Sequence, residues 1–196
     1  VLLLVFASYG TPKKGDFLYK DLNGDGVIDD NDKYAVGHGL APRLTYGFSL
    51  GAEWNGFDFS CLFQGNAGLQ VYWQDKFYMG YINYGDVINK EIAEGAWREG
   101  RTNATYPRLL TGLNTLNAQP SDFWVQNKSY LRLKNVQIGY KIPKKLLQKL
   151  DISQLRLYTS LENMLTFTSY KGIDPEISGT TYPTMKQITV GVNVVF

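Results

Sequence analysis

The chain has 196 residues and a formal net charge of +2, and its 20 lysines and arginines form no polybasic run. Nucleic acid is therefore not expected as a partner. One cysteine and one histidine leave no disulfide framework, no cysteine-rich zinc site and few routes to a histidine-based triad, so the composition argues against an enzyme.

The chain starts with an apolar run, Val1 to Phe6. This run is far shorter than the roughly 20 residues of a membrane-spanning helix, and it predicts a strand. No signal peptide is visible, so we expect the chain to begin inside a longer protein. Abundant aromatic residues and 20 glycines, with a slightly negative mean hydropathy, favour β-strands with one apolar face.

Residues 15–43 form a predicted loop that contains a twelve-residue calcium-loop pattern. Hard oxygen ligands suit calcium, and Gly26 permits the sharp turn of such a loop. Asp32 stands at position twelve, where glutamate is usual, and no amphipathic helices flank the loop. The alternative is a surface loop of Asx-turns whose carboxylates are solvated. The predicted calcium ligands are Asp21, Asn23, Asp25, the Val27 carbonyl, Asp29 and Asp32.

Two alternating segments follow, Leu44–Trp54 and Phe57–Gln64, and Asn55-Gly56 separates them. This dipeptide best accepts the positive φ angles of a type I′ turn, so a two-residue hairpin is predicted. The predicted register places Cys61 on the apolar face, as an inert residue facing lipid. The predicted cross-strand pairs are Trp54/Phe57, Ala52/Phe59, Leu50/Cys61, Phe48/Phe63, Glu53/Asp58 and Gly51/Ser60.

Residues 65–129 form a long predicted loop with a helix from Asp86 to Glu99. Its aromatic side chains could stack on sugars or dock a partner protein. The alternative, favoured for most of them individually, is a core within the loop together with an interfacial aromatic girdle. These aromatic residues are Tyr72, Trp73, Phe77, Tyr78, Tyr81, Tyr84, Trp97 and Trp124.

Three further strands are predicted at Tyr130–Ile142, Leu155–Phe167 and Ile188–Phe196. One or two helical turns after Pro143 join the first two. The polar faces carry charges that could line a lumen or simply be solvated, and His38 lies in a glycine-flanked loop without a catalytic constellation. The polar-face charges are Glu53, Asp58, Arg156 and Glu162.

Connection lengths separate the two ends of the predicted sheet. The short connections and the chain end lie at one rim, whereas residues 7–43, 65–129 and 168–186 lie at the other. This separation is typical of outer-membrane barrels, in which the short rim is periplasmic. We therefore predict an all-β fold, the last five or six strands of an antiparallel transmembrane β-barrel; a soluble antiparallel sandwich is the less favoured alternative.

Several sequence blocks resemble the SusC/RagA family of TonB-linked transporters, across roughly residues 15–196. Their occurrence in the family's order is more specific than any one block. The blocks are Gly15–Asp29, Tyr46–Phe48, Gly56–Ser60, Phe63–Gly65, Tyr106–Leu109, Ser129–Val136, Gly139–Tyr140, Asn163–Phe167 and Gly172–Glu176.

The resemblance implies a roughly 22-stranded barrel in the outer membrane of a Gram-negative bacterium. A plug domain, absent from residues 1–196, would fill the barrel, and TonB-ExbB-ExbD would energise it through the missing N-terminal region. The family imports oligosaccharides or peptides together with a SusD-like surface lipoprotein. The present chain would supply barrel wall in contact with outer-membrane lipid, and the outer loops.

Two other functions remain as alternatives. A soluble calcium-dependent β-sheet binding module would use the loop from Asp21 to Asp32. A glycan-processing hydrolase is disfavoured because no isolated carboxylate pair stands out from the loop and strand charges.

Overall fold

A computed structural model describes residues 6–7, 10–37, 41–72, 88–110, 116–148, 151–177 and 182–196. The chain divides into two compact units, one of Val1–Gly37 with Tyr72–Val125 and one of His38–Val71 with Gln126–Phe196. The elements described are β1 (Phe6–Ala7), β2 (Val27–Ile28), β3 (Leu44–Trp54), β4 (Phe57–Ala67), β5 (Gln70–Tyr72), α1 (Lys90–Gly95), β6 (Val125–Asn127), β7 (Tyr130–Lys141), α2 (Lys144–Leu147), β8 (Gln154–Thr168) and β9 (Gln187–Val195).

The second unit is built on a five-stranded sheet with the order β3-β4-β7-β8-β9. Every neighbouring pair is antiparallel, so the all-β antiparallel prediction is confirmed. The sheet is open, and among the described strands nothing pairs with the outer edges of β3 and β9. Two short sheets, β1-β2 and β5-β6, are separate from it.

The hairpin of β3 and β4 has the predicted register. All six predicted cross-strand pairs are present, from Trp54/Phe57 at the turn to Phe48/Phe63. Asn55 and Gly56 have φ angles of 48° and 86°, which are the left-handed values that a type I′ turn requires. The sequence therefore set the register, although β4 continues to Ala67, beyond the predicted end at Gln64.

The two faces of the sheet differ sharply in chemistry. The apolar face is open to its surroundings, with Val190 79% exposed and Trp54 76% exposed. A soluble monomer rarely leaves so large an apolar surface uncovered, whereas a lipid-facing sheet must expose one. The exposed apolar side chains include Phe48, Leu50, Phe59, Ile138, Leu157, Leu165, Phe167, Ile188 and Val192.

No helix among the described residues is long and apolar enough to cross a membrane.

A bulge interrupts the otherwise regular register in β7. Leu62 pairs with Asn135 and Phe63 pairs with Leu133, so Lys134 is an extra residue relative to β4. The β7–β8 register shifts at the same place, where Asn163 adopts a φ angle of 54° and donates a hydrogen bond to the Met185 carbonyl at 3.0 Å. Bulges re-aim neighbouring side chains, and this one lies beside the charged cluster described below.

Tyrosine rings cover glycines at two positions in the sheet. Tyr158 pairs with Gly139 on one side and Gly191 on the other, and a Cβ atom at Gly191 would collide with its ring. Tyr46 covers Gly65 in the same way at the other end of the sheet, and its hydroxyl donates to the Tyr130 carbonyl at 3.2 Å. Glycine is needed at these positions because the aromatic ring occupies the space of a side chain.

The predicted helix from Asp86 to Glu99 is wrong in length. Residues 86–87 lie outside the described residues, and α1 ends at Gly95. The chain is extended from Ala96, where the Trp97 N–H donates to the Tyr106 carbonyl. A contact with a distant segment therefore ends the helix. The turn after Pro143 is confirmed as the short helix α2.

Four smaller predictions concern single residues or the two ends of the chain. Cys61 lies on the apolar face as predicted, opposite Leu50 and Val136, but it is only 6% exposed, so neighbouring side chains cover it. The last strand ends at Val195 rather than at Phe196. Of the apolar run at residues 1–6, the described part pairs in parallel with β2 and not with the five-stranded sheet. His38 lies outside the described residues.

The first unit has a small core of its own. Ile92, Tyr106 and Trp124 are buried together. This agrees with the prediction that aromatic residues of the long loop form a core, and Trp97 lies against Gly15. Trp73, Phe77, Tyr78, Tyr81 and Tyr84 lie outside the described residues. Partly buried Phe17, Tyr72, Leu109 and Ala118 pack against the core.

Candidate functional site

Two buried charged clusters hold the loops in place, one in each unit. We call them the Asp16 cluster (Asp16, Arg108 and Asn117) and the Arg132 cluster (Arg132, Asp174, Glu176 and Lys134). Each joins sequence segments that are far apart in the chain, and each uses carboxylates paired with arginine.

The Asp16 cluster joins the start of the chain to the long loop. Arg108 donates to both Asp16 oxygens, from Nε at 2.6 Å and from Nη2 at 2.9 Å. Asn117 donates to Asp16 at 2.9 Å and accepts the Phe17 N–H at 2.8 Å. The Asp16 side chain is 2% exposed and Asn117 is fully buried. A bidentate arginine contact fixes direction as well as distance, so it holds residues 15–17 in a defined position against Arg108 and Asn117.

Burial by itself would raise the pKa of Asp16. Hydrogen bonds from Arg108, the Lys13 N–H and Asn117, together with the charge of Arg108, nevertheless hold it below its ordinary value of 3.8. The carboxylate is therefore the form that the cluster stabilises.

The calcium-like loop follows directly, and its acidic side chains fold the loop itself. Asp21 accepts the N–H groups of Gly24 at 2.6 Å and Gly26 at 2.8 Å. Asp32 accepts the Leu22 N–H at 2.7 Å and the Asp29 N–H at 2.9 Å, and these bonds lower its pKa. These contacts are those of an Asx-turn loop.

The other predicted ligands take part in the same local bonding. Asn23 accepts the Asp25 N–H at 2.9 Å, Asp25 accepts the Val27 N–H at 2.8 Å, and Asp29 accepts the Asn31 N–H at 2.8 Å. Within the described ranges, no three or more histidine, cysteine, aspartate or glutamate side chains are grouped as a metal centre would require. Calcium binding by this loop stays a prediction.

The Arg132 cluster lies on the polar face of the sheet. Arg132 donates to Asp174 at 2.8 Å, to Glu176 at 2.7 Å and to the Thr166 hydroxyl at 2.8 Å. Lys134, at the bulge, donates to the same Glu176 oxygen at 2.8 Å. The side chains of Arg132 and Asp174 are 4% and 5% exposed. The planar guanidinium uses several donors at once, as a buried arginine requires.

Asp174 organises the backbone of the segment that it anchors. Its oxygens accept the Glu176 N–H at 2.8 Å and the Thr184 N–H at 3.1 Å. Burial would raise the pKa of Asp174, but the bonds from Arg132, Glu176 and Thr184 hold it below its ordinary value. The backbone at Glu176 and at Thr184 is thus tied to β7 through one carboxylate.

Lys128 adds a further contact to the same segment. Its ammonium donates to the Ile177 carbonyl at 2.5 Å and lies 5.4 Å from the centre of the Tyr170 ring. Burial lowers the pKa of Lys128, and the negative charge of Asp174 partly opposes that shift. Two basic side chains, Lys128 and Arg132, therefore hold the segment at residues 170–177 from the strand side.

Three of the four predicted polar-face charges, Glu53, Asp58 and Arg156, form ion pairs, and each pair spans an intervening strand. Arg156 pairs with Asp58 and also donates to the side-chain oxygen (Oε1) of Gln137 at 3.0 Å. Lys141 pairs with Glu53 at 3.3 Å in a far more exposed setting. These contacts lie on one face and leave the other apolar.

Sequence reasoning missed both clusters, although it quoted the blocks that contain them. The Asp16 block and the Arg108 block form one cluster, and the Arg132 block and the Asp174 block form the other. The sequence offered only one hint of each cluster: an arginine in one block and, in another block, a carboxylate to which no role had been assigned. Nothing in their spacing says which blocks meet.

We expect Arg132→Met to release the segment at residues 172–177. Removing one partner of a buried ion pair leaves uncompensated carboxylates and costs about 3–5 kcal/mol. Hydrogen exchange measured on the full-length protein should show lost protection at Glu176 and Thr184. Protection in Arg132→Lys should lie between that of the unaltered protein and that of Arg132→Met, because lysine keeps the charge but cannot reproduce the planar fork.

Lys141→Met is the matched control, since it breaks an exposed pair on the same strand and should cost less than about 1 kcal/mol. Equal protection in Arg132→Met and Lys141→Met would contradict a structural role for the Arg132 cluster.

The Asp16 cluster should weaken in acid. Because folding lowers the pKa of Asp16 below 3.8, its stabilisation is complete above that value and is lost as the pH falls through the folded pKa. Hydrogen exchange at the Phe17 and Arg108 amides, corrected for intrinsic rates, should lose protection progressively as the pH is lowered below 3.8.

Asp16→Asn should reduce protection at neutral pH and flatten this pH dependence, whereas Asp30→Asn, at an exposed carboxylate, should change neither. A pH dependence that persists in Asp16→Asn would assign it to another group.

Comparison with protein-family models finds no match. Comparison with curated proteins finds TonB-dependent receptors P3 and P39 of Formosa agariphila. Receptor P3 is 31% identical over 95% of this chain and 20% of its own length, and receptor P39 is 32% identical over 93% and 19%. TonB-dependent receptor SusC of Bacteroides thetaiotaomicron is 27% identical over 98% of this chain and 18% of its own length.

Solved structures with the same fold include the RagAB peptide importer in its open-open state. That chain superposes with a TM-score of 0.65 at 28% identity, covering 91% of this chain and 20% of its own. A second RagAB peptide transporter structure gives a TM-score of 0.64 at 29% identity, covering 83% and 19%.

The chain spans about a fifth of the length of the relatives it matches. Across that stretch the sequence is 31% identical to receptor P3, and the fold superposes on the RagAB chain with a TM-score of 0.65. The chain therefore belongs to the TonB-dependent receptors of the SusC/RagA type, as a part of their β-barrel.

Proposed function

We propose that this chain is barrel wall and outer loops of a protein that imports nutrients across the outer membrane. The observation that carries the proposal is the contrast between the two faces of the sheet, one apolar and uncovered, the other ion-paired. Such a sheet suits lipid on one side and a hydrated lumen on the other. The named relatives are receptors and transporters, which fits a protein that is not an enzyme.

The substrate class follows from the relatives as a proposal. RagAB is a peptide importer, and we extend to this chain the import of peptides or oligosaccharides. A SusD-like lipoprotein would close over the outer mouth, and TonB-ExbB-ExbD would act through a plug region outside residues 1–196. Residues 15–43 and 65–129 would then be extracellular, in the position where they meet substrate and partner.

The Arg132 cluster gives the polar face a role in this scheme. It holds residues 170–177 against the strands that would face the lumen. The contacts of Arg132 with this segment are buried and each side chain makes several hydrogen bonds, so the segment should stay in place and occupy a fixed part of the lumen. The proposal therefore assigns the segment to the permanent lumen wall.

Membrane placement can be tested with two adjacent residues of β9. Val190 lies on the apolar face, and Thr189 lies on the polar face. In the full-length protein, Val190→Arg should impair outer-membrane assembly, since arginine facing lipid near the midplane costs about 2–4 kcal/mol. Thr189→Arg should assemble normally. The measurement is the folded fraction in purified outer membranes.

A soluble sandwich predicts a different result. Both residues are exposed, so both substitutions would then be nearly neutral, within about 0.5 kcal/mol. Equal assembly of the two variants would overturn the membrane placement. Uptake of labelled peptides and oligosaccharides by cells with and without the full-length protein would then test import itself and separate the two substrate classes.

We also propose calcium binding at the loop from Asp21 to Asp32. The supporting observation is that the loop is already turned, with Gly26 at a φ angle of 83° and carboxylates that each accept N–H groups. A carboxylate oxygen has two lone pairs, so accepting one N–H leaves capacity for a cation. Asp21, Asn23, Asp25, Asp29, Asp32 and the Val27 carbonyl would bind it, and calcium would supply further stabilisation of the loop.

Calorimetric titration of the full-length protein with calcium tests this. Uptake should be lost in Asp25→Ala and retained in Asp30→Ala, which removes a neighbouring carboxylate outside the ligand positions. Absence of any uptake at millimolar calcium would remove the metal from the proposal and leave import unaffected.

A further inference from the structure

The short-turn end of the sheet carries a compact group of aromatic, apolar and basic residues. Trp54 is 76% exposed beside the Asn55-Gly56 turn, and Phe57 is 52% exposed. The rings of Phe57 and Tyr140 lie 4.5 Å apart. Aromatic side chains at the end of a lipid-facing strand are suited to the boundary between hydrocarbon and headgroups.

Helix α2 begins directly after this aromatic group. The Lys141 N–H donates to the Gly56 carbonyl at 2.7 Å, and Pro143 then starts the turn that leads into α2. Leu147 is 3% exposed and α2 contacts β8, so the helix is held against the sheet. The neighbouring residue Leu146, by contrast, is 69% exposed, so it lies on the side of α2 that does not contact the sheet.

Two lysines of α2 have no carboxylate partner among the described residues. Lys144 and Lys145 are both exposed, and neither is placed in an ion pair. The nearby Lys141 differs, because it pairs with Glu53. An exposed leucine preceded by two such lysines combines apolar insertion with positive charge, which is the chemistry that binds an anionic membrane surface.

We propose that Lys144, Lys145 and Leu146 anchor the barrel wall to anionic phospholipid headgroups in the leaflet at the short-turn end. We call these three residues the α2 anchor. Leu146 enters the headgroup boundary at the end of the sheet that carries Trp54 and Phe57, and the two ammonium groups bind lipid phosphates. The anchor directly follows β7, whose Ile138 and Tyr140 lie on the apolar face, so its occupant is the same membrane that this face contacts.

The anchor requires the membrane placement of the sheet but not import. A failed uptake experiment would therefore leave it standing. Failure of the anchor would likewise leave the barrel wall and its lumen segment unchanged.

Lipid preference is measured beside the anchor in the full-length protein. A fluorophore attached at Gln148→Cys, in a background without other cysteines, reports quenching by brominated phosphatidylglycerol and by brominated phosphatidylcholine. The protein is reconstituted in vesicles with equal parts of the two lipids, and one lipid is brominated at a time. The ratio of the two quenching constants gives the local enrichment of anionic lipid.

With the unaltered anchor, we expect phosphatidylglycerol to be enriched beside the fluorophore. In Lys144→Gln/Lys145→Gln the ratio of the two quenching constants should be near unity. Two lysines at about 1 kcal/mol each correspond to about a 30-fold change in local affinity, which high salt should also suppress. Lys13→Gln/Lys14→Gln removes the same charge from another exposed lysine pair and should leave the ratio unchanged. An unchanged ratio in the α2 double variant overturns the proposal.

The depth of residue 146 in the membrane is measured separately, with the fluorophore attached at Leu146→Cys. Quenching by brominated lipid together with protection from aqueous iodide supports insertion. Quenching by iodide without quenching by brominated lipid places residue 146 in water and overturns the proposal.

Discussion

Backbone hydrogen bonding is the constraint on which the rest of this structure depends. In lipid every N–H and C=O must find a partner within the protein, and an antiparallel sheet provides one between neighbouring strands. A strand then has two faces with a period of two residues, so each side chain is committed to lipid or to the polar side. The alternation of Ile188, Val190 and Val192 with Thr189 and Gly191 is the direct expression of this rule.

Local chemistry was enough to predict what depends on neighbours in sequence. Asn55-Gly56 specifies the turn, the turn specifies the register, and the register then places all eleven pairs of the β3–β4 hairpin. The bulge at Lys134 was not predictable in this way, because one extra residue leaves no mark in the composition. The length of α1 was mispredicted for a related reason, since Thr105 and Tyr106 press against Gly95 from outside the helix.

The charged clusters mark the limit of reading the sequence alone. Arg108 is 92 residues from Asp16, and Asp174 is 42 residues from Arg132. The residue types are suited to pairing, but any arginine of the chain suits any carboxylate equally well. The choice is made by the sheet, which brings β7 and β8 together and directs Arg132 and Thr166 to the same face. Calcium binding differs in kind, since its predicted ligands are close together in the sequence, and it stays a prediction.

The two-faced sheet also explains why the ion pairs of the Arg132 cluster lie on the polar face. A buried ion pair gains little net stability over apolar packing, so its use needs a reason other than strength. On a lipid-facing sheet the opposite face is the one place where charges can be hydrated or paired. A loop that returns over that face, such as residues 170–177, meets polar strand positions, and apolar packing cannot hold it there. Arginine and carboxylate pairs then provide direction, because the guanidinium fork accepts few geometries. Lipid on one side of the sheet thereby requires that the loops be held by charge on the other.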